Sequence, residues 1–431
     1  PGPAGAPLAS IQASAHYPPP VRPDPGSVMS VPVLTSIGGL YRLRWQEEQV
    51  IIHLERLHEN SHFEVTCEIQ INTTAAGSPS HLHGGSRLNI TSTESRRRLA
   101  KYLTEDVSPN NWTAMLEQAS VMVLAEWRKG SPVIELSKHT LKDSLGMRVA
   151  PILQERQATV FYGEGDTLKS FMGIFLAVLV RTGEKQAGLV PEPGNVLYLD
   201  YETDEDTLWE RAGMLAKGVA LEIPDGLFYR YMHQPLAADI QQINRIVLDK
   251  GIEFIVVDSA APAVMEPESA AMTTEYFRAL RSLRTTSLTI AHVTKNTKVA
   301  APFGSIFWRN LPRANFMVTA SRELEHVSIG LKHTKSNNGR RLHDLGFEFK
   351  FDGDLVSVNA VDVKDIPELA SGLPIRDQIT SALSHGALSL DDLCNVLPAL
   401  GRSRISTELS RPNQDLFVNV RRGVWGLKAR E

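Results

Sequence analysis

The chain has 431 residues, 42% of them hydrophobic and 22% charged, the composition of a soluble globular protein with two or three domains. Its net charge of −4 excludes a global electrostatic attraction to nucleic acid, so any basic site must be local. Two cysteines, Cys67 and Cys394, exclude a disulfide scaffold and cysteine-rich zinc modules, and they fit a cytoplasmic protein.

Residues 1–27, "PGPAGAPLASIQASAHYPPPVRPDPGS", are rich in Pro, Ala and Ser and predict a disordered lead-in. No signal peptide is visible, and a start at Pro1 without methionine leaves open whether the chain is a fragment with an upstream segment. Residues 28–140 predict a small α+β domain. "YRLRWQEEQVIIHLERL" and "HFEVTCEIQIN" read as strands, "TTAAGSPSHLHGGS" as a loop before "RLNITS", and Ser95–Leu103 and Trp112–Lys129 as helices. His81 and His83 stand in that polar loop without further ligands, so no metal is expected there.

Residues 141–363 predict an α/β core. The runs "ATVFYG", "NVLYLDYE", "FIVVDSA" and "SLTIAHV" are nearly continuous apolar strands, the habit of a parallel sheet covered by helices. "FMVTAS", "HVSIGLKH" and "LGFEFKF" follow as further strands. The apolar run from Phe171 to Val180 is about half of the ~20 residues that a membrane span needs, so it predicts a buried helix and no membrane partner. Residues 364–431 predict helices Ile375–Leu383, Leu390–Leu397 and Arg402–Ser410, then two short strands in "LFVNVRRGVWGLK", the pattern of a winged helix.

The stretch "VFYGEGDTLKSFMGIFLAV" comes close to the phosphate-binding pattern G-x-x-x-x-G-K-[ST]. Gly163, Lys169 and Ser170 fit, Leu168 stands where the second glycine belongs, and the strand–loop–helix context is the one the motif requires. Read so, backbone N–H groups of Gly163, Glu164, Gly165, Asp166, Thr167, Leu168 and Lys169 cradle the phosphates of ATP. Lys169 reaches the β/γ-phosphates, and Ser170 holds Mg²⁺. A glycine-containing turn before a helix also occurs without any ligand. Two later strands add weight: "FIVVDS" ends in Asp258, placed to order Mg²⁺, and "VLYLDYE" ends in Glu202, placed to act on the attacking water as general base.

With these residues in place, "YGEGDTLKSFMGIFLA", "VLYLDYE", "IVVDS", "IAHVTK", "GSIFWRNLPRANFMV" and "HTKSNNG" resemble the RecA-like P-loop ATPases of the RepA and hexameric replicative helicase type. The resemblance covers residues 150–350, about half of the chain. It implies a RecA-like core in which a bulky residue before the lysine is a family variant. It also implies that His292 senses the γ-phosphate and that Arg313 reaches into a neighbouring subunit's ATP. Lys335 matches the lysine of the K-x-R-x-G element, with Asn337 where those helicases carry arginine, which leaves finger duty to Lys335 and Arg313. Arg309, Arg340 and Arg341 are close competitors.

Residues 292–343 hold nine Lys/Arg and two acids, a local net charge of +7 that makes this stretch the candidate for single-stranded DNA. By the resemblance, loops 262–274 and 294–308 face the channel of a ring. The second offers Lys295, Lys298, Phe307 and Trp308, suited to phosphates and stacked bases unless the aromatics pack within the subunit. In the winged helix, Arg402 and Arg404 on the last helix and Arg421 and Arg422 on the wing would meet duplex DNA or a replication protein. The expected function is a DNA-associated ATPase that self-associates into a ring, a hexamer by the resemblance. The alternative is an ATP-dependent DNA-binding regulator or recombination mediator without unwinding activity.

Overall fold

The computed structural model describes residues 29–428 apart from 77, 79, 108–109, 131–132, 134, 136–145, 220–221, 294–300, 324–325, 367–374, 385 and 412–415. The expected lead-in, 1–27, therefore lies outside the described residues. The chain divides into two compact units, Pro1–Val133 and Ile134–Glu431.

In the first unit, β1 (Val33–Ile37), β2 (Leu40–Trp45), β3 (Val50–Glu59), β4 (Val65–Thr73) and β5 (His81–Asn89) form an antiparallel meander in chain order. Helices α1 (Thr93–Asp106) and α2 (Trp112–Lys129) follow. Strand β4 shows why: every second residue from Val65 to Ile71 is buried, the period of a sheet with one face on a core. That core gathers Trp45, Ile52, Ile69, Trp112 and Met115. The expected loop at 73–86 is corrected in its second half. From His81 the chain pairs with β4, Ile71 opposite His83 and Asn72 opposite His81, and the His81 Nδ1 lies 2.8 Å from Asn72 Oδ1. Backbone pairing and this side-chain contact override a sequence poor in strand formers.

The second unit opens with β6 (Met147–Ala150) and β7 (Leu153–Gln154), which form a small sheet with β9 (Val190–Pro191). Its main sheet is built from β8 (Ala158–Gly163), β10 (Asn195–Asp200), β11 (Leu227–Tyr231), β12 (Ile252–Asp258), β13 (Thr286–His292), β14 (Ala314–Arg322), β15 (His326–Ser336), β16 (Leu345–Asp352) and β17 (Leu355–Val361). Their order is β11-β10-β12-β13-β8-β14-β15-β16-β17, parallel through β14 and antiparallel from β15 on. The intervening helices are α3 (Lys169–Thr182), α4 (Glu205–Gly218), α5 (Ile240–Lys250), α6 (Ala260–Val264), α7 (Ala270–Ser282) and α8 (Phe307–Asn310).

Helix α3 is buried almost all round from Met172 to Val180, as its unbroken apolar run foretells. It lies so close to the sheet that a Cβ on Gly173 would meet Ile290 Cδ1 at 3.0 Å and Val256 Cγ1 at 3.4 Å. Fully burying Phe161, Phe175 and Phe254 contributes about 2–3 kcal/mol each. This packing fixes the N-terminus of α3 against the carboxyl ends of the parallel strands, where open α/β sheets bind ligands.

The chain ends in α9 (Ile375–Ser384), β18 (Leu388–Ser389), α10 (Leu390–Val396), α11 (Arg402–Leu409), β19 (Phe417–Arg421) and β20 (Val424–Leu427). The three strands pair in the order β18-β20-β19 around a core of Ile379, Leu383, Leu393, Ile405 and Phe417. No described helix is long and apolar enough to cross a membrane.

Candidate active site

Strand β8 ends at Gly163, where a Cβ would lie 2.4 Å from the Val318 carbonyl oxygen of β14, so no larger residue fits. The loop that follows turns through two left-handed residues, Asp166 (φ 59°) and Leu168 (φ 53°, ψ 26°). Glycine takes this conformation freely, whereas leucine there costs about 1–2 kcal/mol. Leu168 is only partly exposed and packs against the sheet core, which offsets that cost. The departure from the phosphate-loop pattern changes the residue and keeps the backbone shape.

Lys169 heads α3 and is nearly buried. Its Nζ donates to the Glu164 carbonyl and, at 3.0 Å, to Thr167 Oγ1, so the ammonium lies curled inside the loop. Burial pushes its pKa down, and the carboxylates of Asp258, Glu202, Asp166 and Glu164 oppose that shift.

Asp258, Glu202 and His292 sit at the carboxyl ends of three further strands. Their register aligns Asp200 with Asp258, Asp258 with Ile290, and His292 with Gly163. Asp258 is buried, and its Oδ2 accepts a 2.7 Å hydrogen bond from the Tyr198 hydroxyl. Its Oδ1 is buried with no hydrogen-bond partner among the described residues. Burial raises its pKa; the hydroxyls of Tyr198 and Ser170 counter this, and the charges of Glu202 and Asp200 add to it. A buried, unsatisfied carboxylate oxygen is costly on its own and suits a cation. With the Ser170 hydroxyl at the head of α3, the donor set is all oxygen, the chemistry of Mg²⁺.

Glu202 follows β10 in a turn, half-exposed, its Oε1 accepting from Ser259 Oγ and lying 3.7 Å from His292 Nε2. The His292 ring beside it holds its carboxyl below the usual range, against burial, and the Ser259 hydroxyl and the Lys169 charge add to the lowering. Glu202 is therefore ionised at neutral pH and able to take a proton.

Four neighbours escaped the sequence reading: Tyr198, Asp200, Ser259 and Arg322. Arg322 Nη2 donates to the Asp166 carbonyl of the phosphate loop at 2.5 Å from the end of β14. Nothing in the local sequence marks it beyond its place in the basic stretch.

Arg313 and Lys335 lie elsewhere. Arg313 N donates to the Ala158 carbonyl at 2.9 Å, at the opposite end of β8 from Gly163, about 16 Å away at 3.3 Å per residue. Lys335 Nζ donates to the Asn310 carbonyl at 2.7 Å and the Pro312 carbonyl at 2.5 Å. Burial, with Arg313 and Arg309 nearby, pushes its pKa down to about 8. The two cations thus share the edge remote from their own phosphate loop.

Trp308 is corrected as a base-stacking residue. It is 1% exposed, its Nε1 donates to the Pro267 carbonyl at 3.1 Å, and its ring lies 5.4 Å from Tyr276 and 5.2 Å from Phe277. With its ring caged and its N–H satisfied, it has no face for a base. Phe307 is half-buried, and Lys295 and Lys298 lie outside the described residues. Arg402 is exposed and paired with Asp391, while Arg404, Arg421 and Arg422 are exposed.

A protein-family model described as an AAA domain matches residues 137–298, a span that takes in the phosphate loop, Glu202, Asp258 and His292 and stops before Arg313. No curated protein matches the chain. Together with the loop geometry, the match makes residues 137–298 similar to an AAA domain of the P-loop NTPase kind.

Proposed function

We propose that the protein is a cytoplasmic, RecA-like ATPase of the RepA type that hydrolyses ATP at subunit interfaces and couples it to single-stranded DNA. The observation that carries the reading is the convergence of Gly163, Lys169, Ser170, Glu202, Asp258 and His292 at one edge of four adjacent strands. The amides of residues 163–169 bind the triphosphate, and Lys169 leaves the Glu164 carbonyl for the β/γ-phosphates. Ser170 and Asp258 would hold Mg²⁺, which supplies charge neutralisation at the phosphates. Glu202 accepts a proton as a water oxygen bonds to the γ-phosphorus, and the bond to the ADP oxygen breaks. His292, next to Glu202, senses whether the γ-phosphate is present.

The C-terminal unit is read as a winged helix, offering Arg404, Arg421 and Arg422 to duplex DNA or to a replication protein. Lys295, Lys298 and Phe307 remain the candidates for the single strand.

ATPase rate with and without single-stranded DNA, beside particle size with a non-hydrolysable ATP analogue, tests the proposal. The expected result is turnover that DNA stimulates, lost in Lys169→Ala. Glu202→Gln should bind ATP normally and turn it over at least ~10²-fold more slowly. Absence of ATP binding by the wild-type protein would overturn it. Strand displacement separates a helicase from an ATPase that does not unwind.

A further inference from the structure

We propose that Asp200 is a positioning residue for Glu202: its buried carboxylate folds the turn that aims the general base. The inference rests on the reading of Glu202 as that base. Asp200 ends β10 and is 1% exposed. Its Oδ1 accepts from the backbone N–H of Glu202 at 2.9 Å and of Thr203 at 3.1 Å, and its Oδ2 accepts from the Thr203 hydroxyl. Three hydrogen bonds converging on one short side chain tie residues 200, 202 and 203 together, so this is a stiff local fold.

Two backbone bonds pin the start of the same turn. Tyr201 N donates to the Asp258 carbonyl at 2.7 Å, and Met232 N donates to the Asp200 carbonyl at 2.8 Å. They fix residues 200 and 201. Among the described residues, the bonds that hold the backbone of 202 and 203 come from the Asp200 carboxylate. At the far end of its side chain, Glu202 is met by Ser259 and His292. The base is thus held at both ends, by Asp200 through its backbone and by Ser259 and His292 at its carboxylate. A displacement of about 1 Å at such a group lowers turnover by about 10²-fold.

The test uses the full chain with Asp200→Ala, Asp200→Asn and Thr203→Val, alone and with Glu202→Gln. Asp200→Ala should lower kcat by about 10²-fold with the Kd for ATP within about threefold. Asp200→Asn should recover to within about tenfold of wild type, since its amide oxygen can accept both backbone bonds. Thr203→Val, which removes one bond of three, should cost kcat about tenfold and folds even if Asp200→Ala does not. In the Glu202→Gln background, Asp200→Ala should lower the residual rate no further. The amides of Glu202 and Thr203 should exchange hydrogen at least about tenfold faster in Asp200→Ala.

Wild-type turnover by Asp200→Ala while Glu202→Gln is inactive overturns the proposal and leaves the base intact. An equal loss in both backgrounds, or Asp200→Asn as inactive as Asp200→Ala, also overturns it. Full turnover by Glu202→Gln overturns the base reading instead.

Discussion

Leu168 shows how a single residue can break a motif and keep its geometry. What the phosphate cradle needs at this position is a left-handed backbone, and leucine supplies it at φ 53° because its side chain finds a partly buried seat on the core. Leu168→Gly should relieve strain and lose packing in similar amounts, so turnover stays within about threefold of wild type. Leu168→Val places a β-branched residue at a positive φ and should lower ATP affinity by about tenfold or more, read by nucleotide titration. Equal behaviour of the two variants would mean that the backbone shape does not matter. Glu202 makes the second case at this scale. Its folded pKa is depressed, so the base stays ionised below the ordinary carboxylate range and turnover is lost only as pH falls through that lowered value. His292 is the leading cause, so His292→Ala should move the acid limb of kcat/KM to higher pH; an unmoved limb would remove His292 from that role.

At the scale of elements, the parts that could be read from sequence are those whose pattern is local. Strands β8, β10, β12 and β13 are buried on both faces, so their apolar runs announce them, and Glu202, Asp258 and His292 announce themselves as the polar residues that end or follow such runs. The order of the strands has no local signature. Neither does the role of Ser259, whose partner Glu202 is 57 residues away, or of Arg322, 156 residues from Asp166. Strand β11, "LFYRY", is half-buried and short, and gives neither alternation nor a continuous apolar run. Trp308 is ambiguous in sequence for the same reason: an aromatic among cations looks alike whether it meets a base or fills a core. Its carbonyl partner, Pro267, also accepts from Ser305 N at 2.8 Å and from Thr273 Oγ1 at 3.2 Å, so one carbonyl joins the segments on either side of α7. Trp308→Ala should destabilise the unit by about 3–5 kcal/mol, measured by denaturant unfolding. Trp308→Phe should cost much less, because two donors to that carbonyl remain, and should leave single-stranded DNA affinity unchanged. A large loss of DNA affinity in the folded Phe variant would return Trp308 to the binding surface.

At the scale of the whole molecule, the placement of Arg313 and Lys335 poses the question of assembly. Both stand at the amino-terminal edge of the sheet, remote from the loop of their own chain, so neither can serve that loop. They can act on ATP only if a second copy brings its carboxyl-terminal edge to them. Lys335 is already engaged by two carbonyls of the 310–312 turn, and with its pKa pushed down to about 8 it loses charge as pH rises through that value. If it acts as a cation on a neighbour's phosphate, turnover should decline above pH 8 and Lys335→Arg should abolish the decline. Loss of Arg313 should harm catalysis more than folding or ATP affinity, since it stabilises charge that develops in the transition state. Mixing decides between a ring and a solitary ATPase. Arg313→Ala subunits keep a sound phosphate loop, and Lys169→Ala subunits keep a sound finger. Each preparation alone should be nearly inactive, while their mixture should regain activity at every junction that pairs the good loop with the good finger. In a randomly mixed ring that pairing occurs at about a quarter of junctions, so the regained rate should approach about a quarter of wild type if each junction works independently. A mixture as inactive as its parents, with mixed rings shown to form, would exclude Arg313 as a finger acting between subunits.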